Sequence, residues 1–122
     1  MAVSDSFLDL VRTRLGACVP NLRTLRMFGG IGVYAGDLFF AVLDDDELFF
    51  KTNDANRGMF VDLGMPAFRP MADRPAMKYH RLPDEALNDP TALPEWIAGA
   101  LAAAQSSPKS LRKKSAGPRR KR

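Results

Sequence analysis

Few residues of this chain carry the chemistry of a catalytic centre. Among 122 residues there is one histidine, His80, and one cysteine, Cys18. A general base needs a partner and a pocket, and His80 lies on a predicted strand with no positioned nucleophile. Cys18 lies at the C-terminal end of a predicted helix, where the helix dipole disfavours a thiolate. We expect His80 to be structural or solvent-facing, Cys18 to be a small packing residue, and the protein not to be an enzyme.

Two short segments have the composition of ligand loops. Phosphate loops follow G-x-G-x-x-G or G-x-x-x-x-G-K-[ST] between a strand and a helix, and the glycines at 29, 30 and 32 meet neither pattern. They favour a strand bulge instead. The four consecutive acids at 44–47 could offer oxygen ligands to a hard cation, but they lack EF-hand spacing and are typical of a solvated hairpin tip. We therefore predict no cofactor and no metal.

The formal charge of +4 separates into two parts of opposite sign. Residues 107–122 hold eight of the 18 basic residues and no acid, so the remaining ten basic and 14 acidic residues give positions 1–106 a net charge of −4. Such a tail can neutralise phosphates without reading bases. The alternative is a solubilising tail with no partner. The candidate nucleic-acid-binding residues are Lys109, Arg112, Lys113, Lys114, Arg119, Arg120, Lys121 and Arg122.

Composition excludes several classes of protein. A single cysteine rules out an intramolecular disulfide, and one cysteine with one histidine rules out a four-ligand structural zinc site. The sequence has no apolar run of eighteen residues, and its first seven residues contain Asp5 but no lysine or arginine. We therefore expect no membrane span, no secretion signal and a cytoplasmic protein.

Hydrophobic periodicity predicts a two-layer α+β domain. Helices are expected at 5–18, capped by Ser4 or Asp5, at 54–63 with Met59, Phe60 and Leu63 facing inward, and from near Leu93 to 104. Strands are expected at 22–35, 38–43, 47–52, 67–71 and 76–82, which gives the order α-β-β-β-α-β-β-α and a mainly antiparallel sheet. The strand at 38–43 is apolar on both faces, so we place it at the centre. The predicted division is a domain at 1–105 and a disordered basic tail at 106–122.

Several segments, in order along the chain, are similar to one known family. Three of them are Arg26-Met27-Phe28-Gly29-Gly30, Glu47-Leu48-Phe49-Phe50-Lys51 and Met77-Lys78-Tyr79-His80-Arg81-Leu82-Pro83. Over residues 22–104 the chain resembles the N-terminal domain of the TfoX/Sxy family, which is associated with natural competence in bacteria. The resemblance implies a type III secretion-chaperone-like fold. It also implies a role in gene regulation through a CRP-type activator.

Four cations lie within the segments that match this family. Arg26, Lys51, Arg57 and Arg81 are our candidate partner-binding residues, because together they could hold an acidic partner or a phosphate. The alternative is that they form surface ion pairs with Glu47, Asp54 or Asp62.

These observations predict a non-enzymatic regulatory protein that acts through contacts with another protein, such as a CRP-type activator or RNA polymerase. The basic tail would add weak, non-specific nucleic-acid binding. A sheet that is apolar on both faces could also support a homodimer. The alternative function is a small protein- or ligand-binding module without a transcriptional role.

Overall fold

Nine helices and strands are found in the part of the chain that the structure, a computed structural model, describes: residues 3–27, 30–68 and 78–106. In chain order they are α1 Asp5–Gly16, β1 Leu22–Met27, β2 Gly30–Ala35, β3 Leu38–Asp44, β4 Glu47–Lys51, α2 Arg57–Asp62, β5 Tyr79–Arg81, α3 Asp84–Leu87 and α4 Leu93–Gln105. The α+β class predicted from the sequence is confirmed.

The five strands form one antiparallel sheet in the order β1-β2-β3-β4-β5. β3 therefore lies at the centre, as its apolar sequence predicts. The helices pack on one face, where Val11 and Leu15 of α1, Phe60 of α2 and Ile97 of α4 share a core with the strands. This arrangement gives the expected two layers.

The sequence predicts turns at 35–37 and 44–46, between apolar strand segments, and both are present as the hairpins after β2 and β3. Ala35 pairs with Leu38 around Gly36, whose φ is +61°, and Asp44 pairs with Glu47 around two residues. Those two residues, Asp45 and Asp46, have φ values of 53° and 58°. Positive φ at both central positions is the geometry of tight hairpins, and aspartate tolerates it better than most residues.

The single long strand predicted at 22–35 is wrong, because this segment forms two antiparallel strands. Met27 pairs with Gly30, so the chain reverses direction between them. A run of strand-forming residues does not show where one strand ends and the next begins when only two residues separate them. The predicted bulge is also displaced. Val33 pairs with Ala41 while Tyr34 pairs with Phe39, which leaves Phe40 as the extra residue on β3.

The predicted helix at 54–63 begins later, at Arg57. The Asn53 side chain accepts hydrogen bonds from the backbone N–H groups of Ala55 and Asn56, and this local turn replaces the first helical turn. Gly64 follows the helix with a φ of +72°, the left-handed conformation that the sequence predicts for a glycine after the last helical turn. Phe60 is buried as predicted.

The inward orientation predicted for the other two apolar residues of this helix is wrong. Met59 is 36% exposed and Leu63 is 58% exposed. The helix has only six residues, so Phe60 alone is buried within it. Val61 is exposed as well.

The two predicted strands at 67–71 and 76–82 are represented by a bridge and a short strand. Ala67 bridges His80, and the Phe68 N–H donates to the Tyr79 carbonyl at 2.7 Å. β5 itself spans Tyr79–Arg81. Residues 69–77, with the predicted turn, lie outside the described residues, as do the basic residues at 109–122. α3 has no counterpart among the predicted elements, although Asp84 and Glu85 after Pro83 are a typical helix start.

The spacing of apolar residues in the two long helices, α1 and α4, predicts one core-facing stripe on each, and both stripes are confirmed. Ser4 caps α1 by accepting from the Phe7 N–H. Leu93, Ile97, Ala100 and Ala104 of α4 are buried against the sheet. No helix among the described residues is long and apolar enough to cross a membrane.

Candidate functional site

The sheet face opposite the helices carries a cluster of aromatic side chains. Side chains alternate along a strand, and the pairs Val42 with Phe49 and Tyr34 with Phe39 place these residues on that face. We call this surface the aromatic face. Its members are Tyr34, Phe39, Val42, Phe49, Phe68 and Tyr79.

The rings of the aromatic face contact one another across four strands. Tyr34 stacks on Phe39 with ring centroids 5.0 Å apart, and Phe39 lies 5.9 Å from Tyr79. Phe49 lies 4.7 Å from Phe68, which the segment after α2 brings beside β5. Such ring contacts stabilise beyond area burial. The aromatic face is therefore an ordered second cluster rather than a set of isolated exposed rings.

Burial differs between the two sides of the aromatic face. Phe49, Phe68 and Tyr79 are buried, while Tyr34, Phe39 and Val42 are only partly buried. Farther towards β1, Leu25 is 52% exposed. The side formed by β1 to β3 is thus the more open part. Contiguous apolar surface of this kind is typical of a contact site.

Cations border the aromatic face. The Arg23 guanidinium lies 5.6 Å from the Tyr34 ring centroid, and the Lys51 ammonium lies 5.0 Å from that of Tyr79. Both distances are in the range of cation–π attraction. Tyr79 is buried, and this burial, with a smaller contribution from Tyr34, raises its pKa to about 12. Cations therefore lie at the rim of an apolar centre.

The structure does not bring the four predicted partner-binding cations together. Lys51 and Arg81 share the aromatic face on adjacent strands, since Lys51 pairs with Tyr79 and Phe49 pairs with Arg81. Arg26 lies on β1, at the other edge of the sheet and on the helix side. Arg57 lies at the start of α2.

Two of these cations form the surface ion pairs given as the alternative. Arg57 pairs with Asp54. Arg81 lies 3.6 Å from the Glu47 carboxylate and 3.4 Å from that of Asp84. These contacts position the two side chains whether or not they also meet a partner.

His80 faces the helices, and it is buried. Its Nδ1 lies 3.3 Å from the Thr52 hydroxyl, and its ring centroid lies 5.7 Å from that of Phe60. Burial lowers the His80 pKa, and the nearby Arg57 charge lowers it further. Of the two roles predicted for His80, structural or solvent-facing, its buried position on β5 beside Phe60 of α2 fits the structural one.

The remaining sequence candidates also have local structural roles. Cys18 is partly buried and packs against the main core. The acidic segment at 44–47 forms a hairpin tip, where the Asp46 carboxylate accepts from the Ser4 N–H at 2.7 Å. Within the described residues no cluster of three or more histidine, cysteine, aspartate or glutamate side chains could hold a metal ion.

The part of the site that depends on strand register has no local signal in the sequence. Arg23 and Tyr34 are eleven residues apart in the chain, and only the pairing of β1 with β2 places them side by side. The same holds for Asn56, whose side chain accepts from the Asn53 N–H and donates to the Lys51 carbonyl. No short sequence motif indicates either the Arg23–Tyr34 contact or the hydrogen bonds of Asn56.

A scan against protein-family models matches the TfoX N-terminal domain over residues 14–104. The chain belongs to this family. The match to the TfoX N-terminal domain runs from the end of α1 almost to the end of α4 and begins eight residues before the similarity noted in the sequence. It contains the aromatic face and all four candidate cations, and it ends before the basic tail. A search of curated proteins finds no match.

Proposed function

We propose that this TfoX N-terminal domain protein is a non-enzymatic, cytoplasmic regulator that acts by binding another protein. Family membership supports the regulatory role. The observation that carries the binding role is the partly open aromatic face. It combines stacked Tyr34 and Phe39 with the cations Arg23, Lys51 and Arg81 at its rim.

The composition of this face suits a protein partner. Tyrosine, phenylalanine and arginine are enriched at protein interfaces, and binding energy concentrates in aromatic and arginine anchors. Arginine side chains at the rim favour a partner with acidic groups around an apolar centre. We propose a CRP-type activator or RNA polymerase as that partner, with gene expression in competence as the process served.

Binding of the full chain to a purified CRP-type activator and to purified RNA polymerase tests this proposal. Replacing Phe39 by Ala should weaken binding about tenfold or more, as for a central interface residue. Val61→Ala is the matched control, because Val61 is also exposed but lies on α2. Failure of both proteins to bind, or equal binding by the Phe39 and Val61 variants, would contradict the proposal.

The basic tail is proposed to add non-specific affinity for nucleic acid. If about five of its cations engage a duplex, log K should fall against log salt with a slope of about −4 to −5. The experiment compares the full chain with a chain truncated after Ser106 on DNA of unrelated sequences. Equal affinity of the two chains would leave the tail as a solubilising segment.

A homodimer through the aromatic face is the second candidate, and the partly exposed Leu25, Tyr34 and Phe39 favour it. Sedimentation equilibrium of the full chain and of the Phe39→Ala variant distinguishes self-association from binding to a different protein. A dimer that dissociates in the variant supports self-association, whereas a monomeric wild-type chain excludes it. The predicted alternative of a ligand-binding module would be supported by retention of a small molecule in place of a protein.

A further inference from the structure

β1 is an edge strand with an open hydrogen-bonding side. Its inner side pairs with β2, and no strand among the described residues pairs with its outer side. The Gly36 N–H donates to the Asn21 carbonyl, so Asn21 and Gly36 form a hydrogen-bonded pair at one end of the β1–β2 ladder. Because hydrogen-bonded pairs alternate in an antiparallel ladder, the backbone groups of Leu22, Thr24 and Arg26 point outward.

A groove of about 540 Å³ runs beside the first half of this edge. Its apolar lining includes Val19, Pro20 and Leu22, and Arg12 and Arg23 also line it. Within the described part of the chain, no carboxylate is among the lining residues. The Arg12 guanidinium donates to the Thr24 hydroxyl at 3.0 Å, so its charge lies directly over the strand.

Positive charge continues to the far end of β1. Arg26 is exposed on the helix side of the strand, and Asp37, which lies 3.5 Å from Arg23, is the one carboxylate paired with this cluster among the described residues. Three guanidinium groups therefore border an open strand edge. Arginine binds carboxylates through two parallel hydrogen bonds.

We propose that the outer edge of β1 binds an extended, acidic peptide segment of another protein by strand addition. Main-chain hydrogen bonds to Leu22, Thr24 and Arg26 supply affinity, and the three arginines select acidic side chains. This surface shares Arg23 with the rim of the aromatic face, but the outward backbone groups of β1 and the Arg26 side chain are not part of that face. Loss of peptide binding in an Arg26 variant therefore tests this inference separately from the proposed regulatory role.

Two other occupants fit the edge less well. A second copy paired through β1 would bring Arg12, Arg23 and Arg26 next to their own duplicates, and charged edge residues normally prevent such pairing. Nucleic acid would meet the charges, but it lacks the alternating N–H and C=O groups that an open strand edge pairs with. An acidic peptide satisfies both features.

The strand register defines a probe. In an antiparallel peptide Glu-Val-Glu-Glu-Val, capped at both ends, the first residue faces Arg26 and the second faces Leu25. The third faces Thr24 beneath Arg12, and the fourth and fifth face Arg23 and Leu22. Addition of this peptide to the full chain should shift the amide NMR signals of Thr24 and Arg26 and protect both from hydrogen exchange.

Two controls separate strand addition from simple charge attraction. Replacing the third peptide residue by proline removes a main-chain donor and should weaken binding about tenfold. Arg26→Glu should weaken binding of the original peptide by a similar factor, about tenfold. The matched variant Arg14→Glu makes the same charge change on α1 and should stay within about twofold of wild type.

The outcomes are separable. Equal binding of the proline and original peptides would overturn strand addition, as would equal losses in the Arg26 and Arg14 variants. Concentration-dependent dimerisation with no response to the peptide would assign the edge to a second copy. Tight binding of a DNA duplex that competes with the peptide for Arg26 would assign it to nucleic acid, and either result contradicts the proposal.

Discussion

The hydroxyl of Thr52 lies 3.3 Å from Nδ1 of His80, and this contact joins the end of β4 to β5 beside the ring of Phe60. The histidine is 9% exposed. Its imidazole is therefore held in a place where a positive charge would be costly, both because water is excluded and because Arg57 lies nearby.

Stability should fall with acidification through the titration of His80. Burial and Arg57 lower the folded-state pKa of His80 below its ordinary value of 6.5. The unfolded chain then binds the proton at a higher pH than the folded chain does, so stability is full above about 6.5 and is lost as pH falls below it. Urea unfolding across this range measures the slope. His80→Gln should flatten it, and an unchanged slope in this variant would show that other groups titrate there.

Ionisation of Tyr79 should lower the stability of the fold at alkaline pH. Its pKa is raised from 10.0 to about 12, so the folded state keeps the proton after the unfolded state has lost it. Stability is therefore complete below pH 10 and decreases as pH rises towards 12. Ultraviolet absorbance of tyrosinate should show one residue ionising near pH 12. Tyr79→Phe should abolish this late step, and its persistence in the variant would contradict the assignment to Tyr79.

Two glycine-to-alanine changes should have opposite effects on stability. A Cβ on Gly99 of α4 would lie 3.3 Å from the Asn56 Cβ, and hydrogen bonds to Asn53 and Lys51 hold Asn56 in place. We expect Gly99→Ala to cost about 1 kcal/mol despite the helix preference for alanine. Beyond its own helix, no atom lies within 4 Å of a Cβ placed on Gly58 of α2, so Gly58→Ala should raise the free energy of unfolding by up to about 1 kcal/mol. Chemical denaturation measures both, and a gain at Gly99 would mean that Asn56 moves freely.

The ion pairs of Arg57 and Arg81 should contribute little to stability. Both pairs are partly exposed to solvent, so each Arg→Ala change should alter the free energy of unfolding by less than about 1 kcal/mol. Phe50→Ala, in contrast, removes a fully buried ring and should cost about 3–5 kcal/mol. A larger loss at either arginine would show that its carboxylate partners depend on it for the local fold.

The sequence predicts the elements whose signals are local. The turn at Gly36, the αL end of α2 at Gly64 and the apolar stripe of α4 each depend on residues close together in the chain, and all three are confirmed. The aromatic face is different. Strict alternation along β3 would put Phe39 on the same side as Ala41 and Leu43, but the bulge at Phe40 turns it to the side of Val42. A bulge depends on the register of two strands, which single-strand periodicity does not contain.

The candidate site shows the same division. Whether the four cations form one site depends on which strand edge or sheet face each of them occupies. Arg26 and Arg81 lie on opposite faces of the sheet. Their residue types alone could not separate them. The pairing of Arg57 with Asp54 was easier to foresee, because three residues separate the two.

The sheet order has a consequence for folding during synthesis. Each strand pairs with the strand that precedes it in the chain, so pairing can proceed stepwise as the chain leaves the ribosome. Contacts between neighbours in sequence form quickly. The sheet, however, is complete before α4 is made, and α4 packs on β3 and β4. During synthesis, the surface of β3 and β4 that α4 later covers is therefore exposed to solvent. The translation speed between β5 and α4 sets how long this apolar surface stays exposed.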